Sequence, residues 1–159
     1  MPKTLLRLRV NGEDHDVAAA PHKTLLEVLR EEMGLTGPKH GCELGECGTC
    51  TVLMDGEPVL SCLVLPVECQ DAEILTVEGM ALQGSLHPLQ QTIAELGAAQ
   101  CGYCTPGILL TARALLETDP RPTRDAIRAA LAGNLCRCTG YTKILDAVEL
   151  AAGRMARAR

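Results

Sequence analysis

Eight of the nine cysteines in this 159-residue chain fall into two sets of four. Cys42, Cys47, Cys50 and Cys62 are spaced C-x4-C-x2-C-x11-C, and Cys101, Cys104, Cys136 and Cys138 are spaced C-x2-C-x31-C-x-C. Thiolates are soft ligands for zinc and for iron–sulfur clusters, so thiols grouped in this way point to metal chemistry. Cys69 stands alone, and an odd total leaves at least one thiol outside any paired scheme; it reads as a small apolar residue or a free thiol.

The first three cysteines cannot converge from one regular element, so they require an irregular loop. Gly41, Gly45 and Gly48 give that loop positive backbone angles and let its amides turn inward toward sulfur. Cys62, from the following hairpin, closes the site. Four thiolates around two ferric ions and two sulfides carry a net charge of about −2, and burying it demands N–H donors. Lys39 precedes the loop and no lysine lies inside it, which leaves the donation to backbone amides. Structural zinc favours C-x2-C pairs, and disulfides are rare in a reducing compartment. C-x4-C-x2-C…C is the plant-type 2Fe–2S spacing.

In the second set each pair precedes a predicted helix, at Thr105-Pro106 and at Tyr141-Thr142. Helix N-termini offer free N–H groups and the positive end of a dipole, and two such ends facing each other suit an anionic group. On spacing alone, zinc and iron–sulfur both remain open here.

The elements that must position these thiols change character along the chain. Leu6, Leu8 and Val10 alternate with Arg7 and Arg9 as in a half-buried strand, Asn11-Gly12 predicts a hairpin, and a second strand follows from Glu13 to Val17. Thr24 to Glu27 is a capping box opening a helix with Leu25, Val28, Leu29 and Met33 on one stripe and Gly34 at its end. Strands are predicted at Thr51 to Met54, Val59 to Leu65 and Glu73 to Val77, with a turn at Asp55-Gly56. Beyond a boundary at Glu78 to Gly84 the period becomes helical. Leu86, Leu89, Ile93 and Leu96 mark one helix, Thr105-Pro106 caps a second that runs through Glu117, and Pro122-Thr123 starts a third with Ile127, Ala130 and Leu131 inward, ended by Gly133. Ile144, Leu145, Val148 and Ala151 mark a fourth. The fold class is α+β: a sheet with one packed helix over residues 1–79, then a small four-helix bundle over 80–159.

Composition narrows the functions. There is no Trp or Phe and there are two Tyr, so both cores are aliphatic, and small cores of this kind call for a metal staple. The net charge is −5 with no basic stripe, which argues against nucleic acid. The run Arg154 to Arg159 reads as a solvated or frayed end. No apolar run approaches the roughly 20 residues that cross a bilayer, and the beginning lacks a signal-peptide h-region, so a cytoplasmic location is expected.

The strings Gly41-Cys-Glu-Leu-Gly-Glu-Cys-Gly-Thr-Cys-Thr-Val52, Asp55-Gly-Glu-Pro-Val-Leu-Ser-Cys62, Gln100-Cys-Gly-Tyr-Cys-Thr-Pro-Gly107 and Gly133-Asn-Leu-Cys-Arg-Cys-Thr-Gly-Tyr141 carry a resemblance. They are similar to the iron–sulfur subunit of the xanthine oxidase family of molybdenum hydroxylases. The resemblance spans nearly the whole chain and implies a β-grasp plant-type ferredoxin domain followed by a helical domain. One 2Fe–2S cluster would be held by Cys42, Cys47, Cys50 and Cys62, and another by Cys101, Cys104, Cys136 and Cys138. It implies a large partner subunit with a molybdenum–pterin cofactor and a medium subunit with FAD, as a heterotrimer or a dimer of heterotrimers. Gln100 and Cys138 would lie beside the pterin. The chain would pass electrons between the molybdopterin centre and FAD or an external acceptor, with substrate conversion, of an aldehyde or an N-heteroaromatic compound, on the partner.

Other residues have plainer readings. His40 is expected to pack in its loop or donate a hydrogen bond, and His15, His22 and His87 to occupy turns or the surface. Met33, Met54 and Met80 read as core filling, Tyr103 and Tyr141 as packing beside the cysteine loops, and Arg137 as a partner-facing residue. Two rival functions remain: a free-standing ferredoxin-type carrier, against which the helical half argues, and a zinc-stapled interaction module.

Overall fold

The computed structural model of the chain describes residues 2–81 and 84–158. β1 (Thr4–Val10) buries Leu6, Leu8 and Val10 on one face, as its alternation requires, and pairs antiparallel with β2 (Glu13–Ala19) across the Asn11-Gly12 turn. β2 runs two residues past its expected end because Ala19 still pairs with Thr4. The remaining strands are β3 (Thr51–Met54), β4 (Glu57–Leu60) and β5 (Glu73–Leu75). They complete a mixed five-stranded sheet in the order β2-β1-β5-β3-β4, with β1 and β5 parallel.

The capping box forms. The Thr24 amide donates to Glu27 at 2.7 Å and the Glu27 amide to Thr24 Oγ1 at 3.3 Å, opening α1 (Leu25–Glu27). The helix then widens into a π turn over Val28–Glu32, closed by the Met33 amide on the Val28 carbonyl at 3.2 Å. Leu25, Val28 and Leu29 are buried with Leu6, Leu8, Val52, Cys69 and Ile74 under the sheet.

Two predicted strands are too long. β4 stops at Leu60 because Ser61–Leu63 forms a 3-10 turn, fixed by the Ser61 hydroxyl on the Cys50 carbonyl at 2.6 Å. β5 stops at Leu75 because the Thr76 amide turns to Asn11 Oδ1 at 2.8 Å and Val77–Met80 forms another 3-10 turn. Both ends are set by residues distant in sequence, which local pattern does not register. Of the expected boundary, Leu82 and Gln83 lie outside the described residues.

Four α-helices follow among the described residues: α2 (Pro88–Glu95), α3 (Thr105–Thr118), α4 (Arg124–Ala130) and α5 (Thr142–Ala158). Leu86 lies exposed ahead of α2, and His87 is the residue that caps it, its Nδ1 accepting from the Leu89 amide at 3.2 Å. His87 is thus half-buried helix machinery rather than a surface residue, and His15 lies in β2 rather than a turn. Thr105 is the first residue of α3, with Cys104 at the cap position. Ala130 is only partly buried, whereas Ile127 and Leu131 face inward as expected. The basic run is helical as far as Ala158, with Arg157 exposed as a solvated end would be. It continues α5, and Arg154 grips Glu95 of α2 through both nitrogens at 2.9 and 2.6 Å; Arg159 lies outside the described residues.

β3 joins the two halves. Thr51, Val52 and Leu53 are all buried, because Val52 packs into the sheet core while Leu53 packs among the helices with Ile108, Leu110 and Val148. Among the described residues no helix is long and apolar enough to cross a membrane.

Candidate metal centres

The first cysteine loop wraps its amides around sulfur. Leu44 and Glu46 donate their N–H groups to Cys42 Sγ at 3.4 and 3.3 Å, and the Cys42 amide donates to Cys47 Sγ at 3.4 Å. The Thr49 hydroxyl lies 3.3 Å from Cys47 Sγ. The cradle leaves no slack: a Cβ on Gly41 would stand 2.6 Å from Cys47 Sγ. Cys50 ends the loop beside β3, and Cys62 reaches it from the 3-10 turn; both are buried with Leu26.

The second set gathers where α3 begins. Cys104 caps α3 and faces Cys136, while Cys138 Sγ lies 3.6 Å from Cys101 Sγ at the exposed edge. The Thr139 hydroxyl approaches Cys136 Sγ at 3.2 Å. Gln100 Nε2 donates to the Cys138 carbonyl at 3.0 Å, so Gln100 and Cys138 form one exposed corner.

All nine thiols are free, and the eight of the two sets come as pairs: Cys42 with Cys47, Cys50 with Cys62, Cys101 with Cys138, and Cys104 with Cys136. A mononuclear zinc takes four ligands at a single centre, whereas each iron of a 2Fe–2S cluster takes two protein ligands. Thiols in pairs, with N–H groups already aimed at sulfur, fit the second arrangement.

The thiols differ in acidity. The Leu44 and Glu46 amides lower Cys42 to about 7. Burial raises Cys50 to about 11 and Cys104 to about 12. Metal binding displaces those protons. Cys69, outside both sets, is fully buried in the sheet core, and burial raises it to about 11. Met80 is buried, and Met33 and Met54 pack partly buried against the same core as Cys69.

The two sites abut. The Leu135 amide donates to the Cys47 carbonyl at 2.9 Å, Asn134 Nδ2 donates to the Gly48 carbonyl at 3.1 Å, and the Tyr103 hydroxyl donates to the His40 carbonyl. His40 Nδ1 pairs with Glu43 at 2.7 Å inside its own loop. Tyr141 does more than pack. Its hydroxyl accepts from the Cys136 amide at 2.7 Å and donates to the Asn134 carbonyl at 3.0 Å. Arg137 is exposed. Sequence reasoning passed over Asn134, Thr49 and Thr139; a threonine directly beside or one residue from a clustered cysteine is the signal that would have found the two hydroxyls.

A sheet carrying one thiol loop, followed by helices carrying a second, defines an iron–sulfur protein with two cluster-binding units. A family model for a 2Fe-2S iron-sulfur cluster binding domain matches residues 8–76, and one for a 2Fe-2S binding domain matches residues 76–149. The small FeS subunit of nicotinate dehydrogenase from Eubacterium barkeri is 50% identical over 156 residues, covering 98% of this chain and 99% of that one. In the crystal structure of quinoline 2-oxidoreductase from Pseudomonas putida 86, a 43% identical chain superposes with a TM-score of 0.94 over 99% of this chain and 98% of that one. The aldehyde oxidoreductase from Desulfovibrio desulfuricans superposes with a TM-score of 0.92 at 39% identity, and there this chain matches 18% of a longer polypeptide. The chain belongs to the xanthine oxidase family of molybdenum hydroxylases, as a small iron–sulfur subunit that transfers electrons within a multi-subunit oxidoreductase.

Proposed function

We propose that Cys42, Cys47, Cys50 and Cys62 hold one 2Fe–2S cluster, and that Cys101, Cys104, Cys136 and Cys138 hold the other. The observation carrying this reading is the pairing of the thiols, with Cys138 Sγ 3.6 Å from Cys101 Sγ and three amides directed at Cys42 and Cys47. The division is a β-grasp ferredoxin domain over residues 1–79 and a four-helix bundle over 80–159. Such a cluster, when bound, takes up and releases one electron at a time.

The chain's own residues tune that exchange. The Leu44 and Glu46 amides stabilise negative charge on Cys42, and the Thr49 and Thr139 hydroxyls approach Cys47 and Cys136. Hydrogen bonds to sulfur raise the tendency to accept an electron, and burial of the anionic site lowers it. Cys50 and Cys62 are buried, whereas Cys101, Cys138 and Gln100 are exposed. That exposed corner faces the pterin of a large molybdenum subunit. The first loop, with Leu44 72% exposed at its tip, faces a medium FAD subunit. The assembly is a heterotrimer or a dimer of heterotrimers in the cytoplasm. The substrate class is an N-heteroaromatic compound, a reading supported by the nicotinate, nicotine and quinoline enzymes among its relatives.

The test is anaerobic purification of the complex. About four irons and four acid-labile sulfides per chain, with two distinct 2Fe–2S EPR signals on reduction, are expected. Zinc in place of iron, or a single signal, refutes the proposal.

A further inference from the structure

The two cysteine loops meet at one buried side chain. Asn134 is 4% exposed and lies two residues before Cys136. Its Nδ2 donates to the Gly48 carbonyl at 3.1 Å and to Thr51 Oγ1 at 3.3 Å. The Thr51 hydroxyl donates in turn to the same Gly48 carbonyl at 2.8 Å. Gly48 stands between Cys47 and Cys50, so the amide of Asn134 is inserted into the first cysteine loop. The Asn134 backbone is held as firmly from its own side: its N–H donates to the Leu131 carbonyl at 2.9 Å, and its carbonyl accepts from Tyr141 at 3.0 Å.

The surroundings are tight. A Cβ on Gly48 would stand 2.2 Å from the Gly133 carbonyl, and a Cβ on Gly107 would stand 2.3 Å from the Gly48 carbonyl. The α3 backbone, the first cysteine loop and the Gly133-Asn134 segment are therefore in direct backbone contact. Beside this joint the Leu135 amide donates to the Cys47 carbonyl at 2.9 Å, linking the residue before Cys136 to Cys47 itself.

From this we infer that Asn134 is the positioning residue that fixes the separation and orientation of the two cysteine sites. Its amide touches neither set of thiols. It acts by clamping the Gly48 carbonyl, and through Leu135 it holds Cys136 and Cys47 at a constant spacing. A hydrophobic side chain of the same size would leave the Gly48 carbonyl to Thr51 alone and remove the side-chain bond across the joint, so the joint is expected to loosen. Transfer between the sites is sensitive to their spacing, so this contact belongs to the electron-transfer function as well as to stability. The inference rests on the two-cluster reading above.

The test uses the purified holocomplex with Asn134→Leu and the milder Thr51→Val. In the reduced wild-type complex, two neighbouring paramagnetic clusters are expected to split each other's EPR lines, and the hydrogen-bonded Leu135 amide is expected to resist hydrogen exchange. Asn134→Leu is expected to keep both signals at wild-type iron content while the mutual splitting falls and Leu135 exchange accelerates. Thr51→Val should show the same changes in smaller degree, and it decides the matter if Asn134→Leu fails to assemble. A variant that only loosened the fold would lose thermal stability with unchanged splitting; that result, together with wild-type protection of Leu135, overturns the inference. Absence of a second EPR signal from the wild-type complex overturns this inference and the two-cluster reading together, whereas unchanged splitting overturns this inference alone.

Discussion

Two glycines separate the strain of a left-handed backbone from the closeness of the joint between the sites. Gly48 has φ +70° and Gly56 has φ +87°, so alanine at either pays a similar conformational cost of about 1–2 kcal/mol. Removing glycine from the unfolded chain returns about 0.4–1 kcal/mol in both cases. The surroundings differ. A Cβ at Gly56 meets nothing within 4 Å, whereas one at Gly48 stands 2.2 Å from the Gly133 carbonyl and 2.7 Å from Asn134 Nδ2. Overpacking of that kind adds about 1–3 kcal/mol. Gly56→Ala is therefore expected to cost about 1 kcal/mol and Gly48→Ala about 2–4 kcal/mol. In a chain of this size each kcal/mol moves the melting temperature by about 2–4 °C. Unfolding of the cluster-loaded protein, followed by calorimetry and by loss of the iron–sulfur absorption, measures both. Equal losses for the two variants would refute the reasoning, because the second loop would then have room to move away from the first.

Other residues give independent tests. Tyr141→Phe removes the hydroxyl that joins the Cys136 amide to the Asn134 carbonyl and should cost about 1–3 kcal/mol; the freed amide should also shift the reduction potential of one EPR signal, and an unchanged potential with unchanged stability would count against the bridge. Cys104→Ser should abolish or alter one of the two signals and slow reoxidation of the complex, and persistence of both unaltered would mean that Cys104 is not a ligand. His87 titrates with a folded value below its ordinary 6.5, chiefly through burial, with the Arg113 charge adding to it. The neutral ring caps α2, so its contribution is present above pH 6.5 and is lost as pH falls through the lowered folded value. His87→Asn keeps an acceptor at the cap and should flatten the stability profile below pH 6.5; an unchanged slope would assign the dependence to other groups.

What was legible in the sequence was local. The alternation of β1, the Asn11-Gly12 and Asp55-Gly56 turns and the Thr24–Glu27 box depend on residues a few positions apart, and each forms as read. The ends of β4 and β5 depend on Cys50 and Asn11, which lie 11 and 65 residues away from their partners, and pattern alone placed those ends too late. Cap chemistry misled at α3, where Thr105-Pro106 has the usual residue types but the chain turns one residue earlier, at Cys104. At the candidate centres, spacing marked the eight thiols but not their partners in space. Cys101 and Cys138 are 37 positions apart, and only the fold brings their sulfurs to 3.6 Å. Asn134 was passed over because an asparagine beside a glycine looks like any polar loop residue, and its function is visible only once Gly48 is placed against it.

A core whose fully buried hydrophobic side chains are all non-aromatic bears on where the sites lie. Two separate aliphatic cores of this size would each be marginal. The chain joins them instead: Leu53 of β3 is buried among the helices, with Leu75, Val77 and Met80 from the end of the sheet packed there too, while Val52 next to Leu53 faces the other core. β3 follows directly on Cys50, and α3, which packs against it, follows directly on Cys104. The two elements that weld the cores are thus the ones that leave the two cysteine loops. Metal bound at either loop would restrain β3 or α3 at its first residue, and the packing of β3 on α3 would carry that restraint to the other loop. Loading one site should therefore raise the protection of amides around the other, a coupling that two independent domains on a linker would lack.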